Sequence, residues 1–503
     1  MRTITIFLIS LILSLSFAND ASGEGKSFID SVTLKAMKSF NVPGIAVAVV
    51  KEGKIVHMKG YGVASLETGA PVNENTLFAI ASNSKAFTSA ALSILVKEGK
   101  LKWDTPVCDI IPEFRLSDPY TTRAFTISDL LSHRGGLGLG AGDLMIWPDG
   151  SDFKTSDVIY NLRFLKPASP FRTRYQYNNL MYIVAGEVIS RISGSSWESF
   201  VEERIISPLG MTRSAGSYKR LKDKSNTASP HAPVNGVVSV IDMELNPMAN
   251  AAGGIYSSVA DMAKWVSAQM GKRVYEDTWT PYTIIPVRGS STYKTHFSAY
   301  ALGWRVSDTE GYKMVTHTGG LSGFLTQVTM IPELNLGIIV FTNQQSSEAF
   351  VSVTNTILDK YFNIKGKDRI AENIERLNTS LEEAEKVING VKEVVESARG
   401  KIDADYLRSF CGSYRDNWLG LVRIEPDGEN LKFVSERSPK LSGEMMYYKG
   451  NTFIVKWYDR SFDADAFVTF TLNNEGLPNG FTMKAISPLT DFSYDFHDLV
   501  FIR

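Results

Sequence analysis

Two cysteines, Cys108 and Cys411, are all that 503 residues contain, and some 300 positions separate them. A small secreted scaffold held together by disulfides is thereby excluded, since such domains need several bridges in a short chain. One long-range bridge stays open. Charge of a single sign is missing as well. Lys and Arg number 53 against 54 Asp and Glu, for a net charge of -1, and the cations are spread along the chain. A nucleic-acid-binding protein would gather them on one face, so no nucleic-acid partner is expected. The six histidines are scattered. Without Cys or carboxylate partners at ligand spacing they predict no metal centre, and no cofactor is expected.

Long apolar runs are absent past the N-terminus. Met1-Arg2-Thr3 precedes an apolar stretch from Ile4 to Phe17, and Ser16-Phe17-Ala18 sets small residues at the two positions a signal peptidase reads. The stretch is short for a bilayer span and gives way at once to Asn19-Asp20-Ala21-Ser22-Gly23. Residues 1–18 are therefore predicted to be a signal peptide, with an uncleaved anchor as the alternative. The mature chain is expected to be secreted, extracellular or, in a bacterium, periplasmic, with no integral membrane segment. A single sequon, Asn378-Thr379-Ser380, makes Asn378 a glycosylation candidate if the host is a eukaryote.

What is present, 44% hydrophobic residues, suffices for two or three packed domains. Phe28, Ile29, Val32, Leu34, Met37 and Phe40 have helical spacing. Gly44 to Val50 and Lys54 to Val63 read as strands of a hairpin turning at Glu52-Gly53. From about Phe78 to Phe200 the pattern is mostly helical, broken by loops such as Gly135-Gly136-Leu137-Gly138-Leu139-Gly140. A short helix, Val259 to Met270, precedes strands predicted at Leu302 to Val306, Met314 to Thr318, Leu325 to Ile331 and Gly337 to Thr342. Phe350 to Phe362 reads as a closing helix. Strands at both ends with helices between them can share one antiparallel sheet, which gives an α+β domain over residues 26–363.

Residues 364–401, rich in Glu, Lys, Asn and Arg, are predicted to be a charged helical linker with apolar positions at Ile370, Ile374, Leu377 and Leu381. Residues 402–503 show short alternating runs broken by Asp427-Gly428, Lys449-Gly450-Asn451 and Asn474-Glu475-Gly476. That is the spacing of an antiparallel sheet or small barrel. The linker predicts that this tail folds by itself and is not required for the acylation chemistry of the first domain, with capping of the cleft, an effect on specificity or a role in assembly left open.

The chemistry is sought at Ser82-Asn83-Ser84-Lys85. A short extended segment, Phe78 to Ala81, turns there into an amphipathic run, so Ser82 stands at a helix start, one turn before Lys85 on the same face. A lysine so placed can take the hydroxyl proton, and the helix N-terminus favours the alkoxide and the oxyanion formed after attack. The motif alone is weak, because this composition should hold about two Ser-x-x-Lys pairs by chance. Ser151/Lys154 and Ser291/Lys294 are the others, both in polar loops. Two further groups recur downstream in order: Tyr177-Asn178-Asn179, ahead of the apolar run Ile183 to Ile189, and His317-Thr318-Gly319-Gly320 at a predicted strand end. A second Tyr-x-Asn, Tyr361/Asn363, reads as an ordinary aromatic position.

With these motifs, and with Thr126-Ile127-Ser128-Asp129-Leu130-Leu131-Ser132-His133, Pro208-Leu209-Gly210-Met211 and Ala252-Gly253-Gly254-Ile255-Tyr256-Ser257, residues 27–362 closely resemble the serine β-lactamase and penicillin-binding-protein family, in its class C, D-aminopeptidase and esterase-like branch. The tail resembles the lipocalin-like β domain that some members append. The resemblance implies an antiparallel sheet flanked by helices with an all-α subregion, followed by a C-terminal antiparallel β-barrel. It makes Ser82 the acylated nucleophile, with Lys85 and Tyr177 jointly handling protons. Asn179 would orient substrate and lysine. His317, Gly319 and Gly320 would form the substrate-binding strand, the Ser82 and Gly320 N–H groups making the oxyanion hole. His133 would pack beneath the site.

One departure bears on substrate. Lactamases and transpeptidases of this resemblance usually carry Lys-Thr-Gly where this chain has His317-Thr318-Gly319, so the fixed ammonium that would hold a carboxylate is missing. Small esters, amides or D-amino-acid peptides are the expected substrates, small molecules or short peptides acted on by a secreted serine hydrolase. The alternative is a secreted extracellular-matrix or binding protein that keeps the fold with little turnover. Homo-oligomerisation and matrix association stay open as partners.

Overall fold

The structure, a computed structural model, describes residues 21–271, 275–287, 289 and 291–503. The predicted signal peptide, residues 1–18, lies outside them. Among the described residues no helix is long and apolar enough to cross a membrane.

Eight strands form one antiparallel sheet. Their order is Lys54–Gly62, Gly44–Lys51, Leu336–Thr342, Phe324–Ile331, Tyr312–Leu321, Arg305–Thr309, Ser298–Tyr300 and Thr283–Ile284. The first hairpin thus forms one edge of the sheet with the last strand beside it, Gly44–Lys51 pairing with Lys54–Gly62 on one side and Leu336–Thr342 on the other. The hairpin turns at Glu52 and Gly53, both at positive φ (53° and 73°), the geometry whose twist matches the flanking strands.

Gly44–Lys51 and Leu336–Thr342 are buried on both faces, and strand alternation sorts their side chains into two cores. Ala46, Ala48, Val50, Ile339 and Phe341 enter the larger core, with Phe87, Ala90 and Leu95 of helix Ser84–Lys97 and Trp265 of helix Val259–Gly271. Ile45, Val47, Val49, Ile338 and Val340 enter the second, under Ile29 and Val32 of helix Ala21–Ser39 and Val353 and Ile357 of helix Ser347–Tyr361. Phe87 stacks on Trp265 at a centroid distance of 4.0 Å, which fixes the helix carrying Lys85 against the helix behind it.

The strand expected at Leu302 to Val306 instead begins at Arg305 and runs to Thr309. Leu302 and Trp304 are buried in a loop around Gly303, whose φ is 79°. Their apolar character reflects packing, not strand alternation. The short strands Thr283–Ile284 and Ser298–Tyr300 carry too few residues for a pattern to show.

The charged segment is one helix, Arg369–Ala398. It packs at both ends. Ile370 sits in the second core with Ile374 and Leu377 beside it, while Val391 and Val395 pack with Ile454 and Ile486 of the tail. Its first turn is fixed by the buried pair Arg369–Asp359, made through Nε at 2.7 Å and Nη2 at 2.9 Å. Asn378 is exposed on this helix.

The tail closes into an eight-stranded antiparallel barrel, Gly412–Asp416 through Val500–Ile502. It rests on the loops of the first domain. Arg437 pairs with Asp152 and Asp157, each at 2.7 Å, and lies over the Phe153 ring. Lys440 pairs with Asp149 at 2.9 Å. Asn161 Nδ2 donates to the Trp418 carbonyl at 2.9 Å in a buried contact. Where a folded barrel docks is set by such contacts and not by the length of the connecting helix. Both cysteines are free, so the bridge left open by the sequence is not made.

Candidate active site

Phe78–Ala79 pairs with Tyr256–Ser257 and delivers the chain to a sharp turn. Ala81 has φ 51°, a left-handed conformation that costs a residue with a Cβ about 1–2 kcal/mol and is retained where its surroundings hold it. Several bonds do so. Ile80 N donates to the Ile255 carbonyl at 2.9 Å, Thr326 Oγ1 donates to the Ile80 carbonyl at 2.9 Å, and Asn83 Nδ2 donates to Thr326 Oγ1 at 2.9 Å. Ser82 sits half-buried in the 3₁₀ turn Ala81–Asn83, immediately before helix Ser84–Lys97.

Lys85 is fully buried and donates to three oxygens: Ser82 Oγ at 3.0 Å, Asn179 Oδ1 at 2.8 Å and the Ala252 carbonyl at 2.8 Å. Burial disfavours the ammonium and brings its pKa down to about 7, with the charge of Asp143 pulling the other way. The amine is therefore a base at neutral pH, in hydrogen-bond contact with the hydroxyl. Asn179 relays to Asp143, its Nδ2 donating to Oδ2 at 2.7 Å. Asp143 is buried, which raises its pKa to about 7 despite that bond.

Tyr177 closes the other side. Its ring lies 5.0 Å from Lys85 Nζ. Burial holds its phenol well above the usual range, while hydrogen bonding to Ser82 pulls it back. The phenol is thus a proton donor at neutral pH, not an anion. Beneath it lies His133, with ring centroids 4.2 Å apart, and the Nδ1 of His133 accepts from Asn178 N at 3.1 Å. This is the packing role expected for His133.

His317 differs from its expected place. Its ring is buried, Nδ1–H donating to the Thr318 carbonyl at 2.6 Å and Nε2 accepting from Tyr300 OH at 2.8 Å. Burial and the charges of Lys85 and Arg305 lower its pKa to about 3. Both nitrogens are occupied within the protein, so the neutral ring orients Tyr300 and offers no ligand to the cleft. The exposed residues of this strand end are Thr318 and Gly320. Pairing with Arg305–Thr309 stops at Thr316, which leaves one edge of residues 317–321 unpaired. Gly319 lets that edge approach the nucleophile turn, for a Cβ there would lie 2.2 Å from the Ile80 carbonyl and 2.5 Å from Thr326 Oγ1.

The structure thus brings Ser82, Lys85, Tyr177 and Asn179 together, with Gly319 and Gly320 on the neighbouring strand. The other Ser-x-x-Lys pairs lie elsewhere: Ser151 donates to the Met145 carbonyl at 2.8 Å, and Lys294 lies in an exposed loop. Tyr361 packs beside the second core.

Sequence reasoning passed over two charged residues here. Asp143 follows the glycine run, where a lone acid in a loop gives no signal. Arg305 donates to Tyr175 OH at 3.0 Å and lowers the pKa of His317, so a cation stands near the site after all, on the adjacent strand. The expectation of no histidine with carboxylate partners also needs correction. Asp495, His497 and Asp498 bring their ligand atoms within 4.8 Å of one another in the barrel, because a 3₁₀ turn at Phe496–Asp498 folds three near neighbours onto one side.

Comparison with known proteins assigns the frame that carries this geometry. The Beta-lactamase family model matches residues 29–361. The chain belongs to the beta-lactamase family. The barrel of this beta-lactamase-family protein matches a domain of unknown function (DUF3471) over residues 396–503. Unguisins hydrolase ungD of Aspergillus violaceofuscus is 34% identical over 371 residues, 67% of this chain and 64% of that one. Protein flp of Staphylococcus aureus strain N315 is 24% identical over 346 residues, 65% of this chain and 64% of that one. The match to each of these two relatives therefore spans just under two thirds of their length. Among solved structures, the octameric penicillin-binding protein homologue from Pyrococcus abyssi superposes with TM-score 0.59 at 20% identity, covering 95% of this chain and 99% of that one. A class C beta-lactamase gives TM-score 0.58 at 24% identity over 70% of this chain and 99% of its own. These two share the fold.

Proposed function

We propose that the protein is a secreted serine hydrolase acting through an acyl-enzyme on small esters, amides or D-amino-acid peptides. The observation that carries this is Lys85 Nζ, fully buried, 3.0 Å from Ser82 Oγ and with a pKa of about 7. Ser82 Oγ attacks the carbonyl carbon while its proton passes to the Lys85–Tyr177 pair. The new C–O bond forms, the C–O or C–N bond to the leaving group breaks, and the pair returns the proton to the departing oxygen or nitrogen. A water then attacks the ester so formed, with the same pair as base, and frees the acid. The Ser82 and Gly320 N–H groups are assigned to the oxyanion. Hydrolase activity in a family relative supports the reading, unguisins hydrolase being 34% identical. Secretion rests on the apolar stretch from Ile4 to Phe17.

Arg305 alters the argument about charge. The site has a cation on a neighbouring strand but no ammonium at position 317, so neutral substrates are favoured and carboxylates are not barred. The test is kcat/KM for a neutral ester, a D-alanine amide and penicillin G. Higher values for the ester and amide are expected. A lactam advantage would overturn the substrate class, and turnover of none of them would favour the binding-protein alternative.

A further inference from the structure

The barrel loop 487–498 reaches into the first domain beside the candidate nucleophile. Phe492 packs edge-on against Tyr177, ring centroids 5.8 Å apart at 82°. Its backbone lies so close to Gly140 that a Cβ there would sit 2.5 Å from the Phe492 carbonyl, and Gly140 N donates to the Tyr177 carbonyl at 2.9 Å. Asp495, fully buried, accepts from Gly142 N through Oδ2 at 2.7 Å. Ser493 and Asp491 both act on Asp143, the first by a hydrogen bond and the second through its charge. One barrel loop therefore touches the phenol, the glycine run and the acid behind Asn179.

Yet Phe492 remains 40% exposed, and Leu139, next to Gly140, 43%. An aromatic held by a buried anchor but left open beside a proton donor presents an apolar contact at fixed position, as small-molecule sites do. The Lys85–Tyr177 pair returns the proton to the leaving group, and Tyr177 is the member of it that Phe492 touches, so the side of the cleft nearest this phenol is taken as the leaving-group side.

We propose that the barrel completes the active site of this chain, Phe492 forming an apolar leaving-group subsite that selects substrates with an aromatic or bulky apolar alcohol or amine. The proposal rests on the acyl-enzyme reading above. Asp495 serves as a positioning residue that fixes the loop. The subsite acts only until the leaving group departs, which separates it from a general effect on the site.

The test compares ethyl and benzyl esters of the same N-acyl-D-alanine in the full-length protein, with Phe492→Ala and Phe492→Leu. The two alcohols differ little in acidity, so the acyl half and the chemistry are held constant. The wild type should prefer the benzyl ester by about tenfold in kcat/KM, the worth of some 55 Å² of apolar surface removed from water. Phe492→Ala should erase that preference by lowering kcat/KM for the benzyl ester about tenfold more than for the ethyl ester, with Phe492→Leu between. Equal loss on both esters, or a preference that survives Phe492→Ala, overturns the subsite. A fluorophosphonate that labels Ser82 in a protein without benzyl preference defeats this inference alone. Absence of labelling at Ser82 defeats the hydrolase reading and the inference with it.

Discussion

Replacing Asp143 by Asn tests the electrostatics of the Lys85 base. The amide keeps an acceptor for Asn179 Nδ2, so the 2.7 Å bond can persist, while the negative charge is lost. From Lys85 Nζ to Asn179 Oδ1 is 2.8 Å and from Asn179 Nδ2 to Asp143 is 2.7 Å, so with the width of the amide the charges lie about 7 Å apart. At an effective dielectric constant of about 20 their attraction is roughly 2.4 kcal/mol, or about 1.7 pKa units. Asp143, itself with a pKa of about 7, is only partly ionised where Lys85 titrates, so the expected shift is about one unit. The sign follows directly. An anion favours the ammonium, so removing it lowers the Lys85 pKa below about 7 and makes the neutral base available at lower pH. The assay is the second-order rate of fluorophosphonate labelling at Ser82 between about pH 5 and 9. The wild-type profile should rise through about pH 7, and that of Asp143→Asn about one unit lower. An unchanged midpoint, or one that moves up, would refute the coupling.

Gly319→Ala should destabilise the fold by about 1–3 kcal/mol and lower the acylation rate, because the new methyl meets the Ile80 carbonyl at 2.2 Å; chemical denaturation together with labelling kinetics checks both. Phe87→Ala opens a cavity beside Trp265 and should cost about 3–5 kcal/mol in urea unfolding. Arg305→Gln should reduce kcat/KM for carboxylate-bearing substrates more than for neutral esters, and equal effects on the two would remove Arg305 from substrate recognition. His317→Lys places an ammonium in a buried pocket facing Tyr300, and should lower the melting temperature without creating efficient penicillin hydrolysis.

The first hairpin and the nucleophile turn are legible because their signals are local. Glu52-Gly53 between two β-rich runs names a hairpin, and Ser82 with Lys85 at one helical turn names a reactive pair. Tyr177 and Asn179 were found by order along the chain. What escaped depends on contacts distant in sequence. Nothing near Asp143 announces that Asn179 will bond to it, and nothing near Arg305 announces that the strand beside His317 will carry a cation. The motif places His317 on the substrate-binding strand, whereas the burial of its ring against Tyr300 is a property of packing that no local signal announces. Phe492 and Asp495 lie some 350 residues from the glycine loop they touch. Only the docked barrel reveals them.

The central claim is that Ser82, activated by buried Lys85, becomes acylated. Intact-mass analysis and peptide mapping after incubation with a fluorophosphonate test it most directly, on the wild type and on Ser82→Ala. The account predicts one adduct, on Ser82, and a rate at least about 10³ lower for the variant, whose circular dichroism should match the wild type because Ser82 is half-buried in a turn and fills no core space. Labelling of Ser82→Ala at the wild-type rate would contradict it.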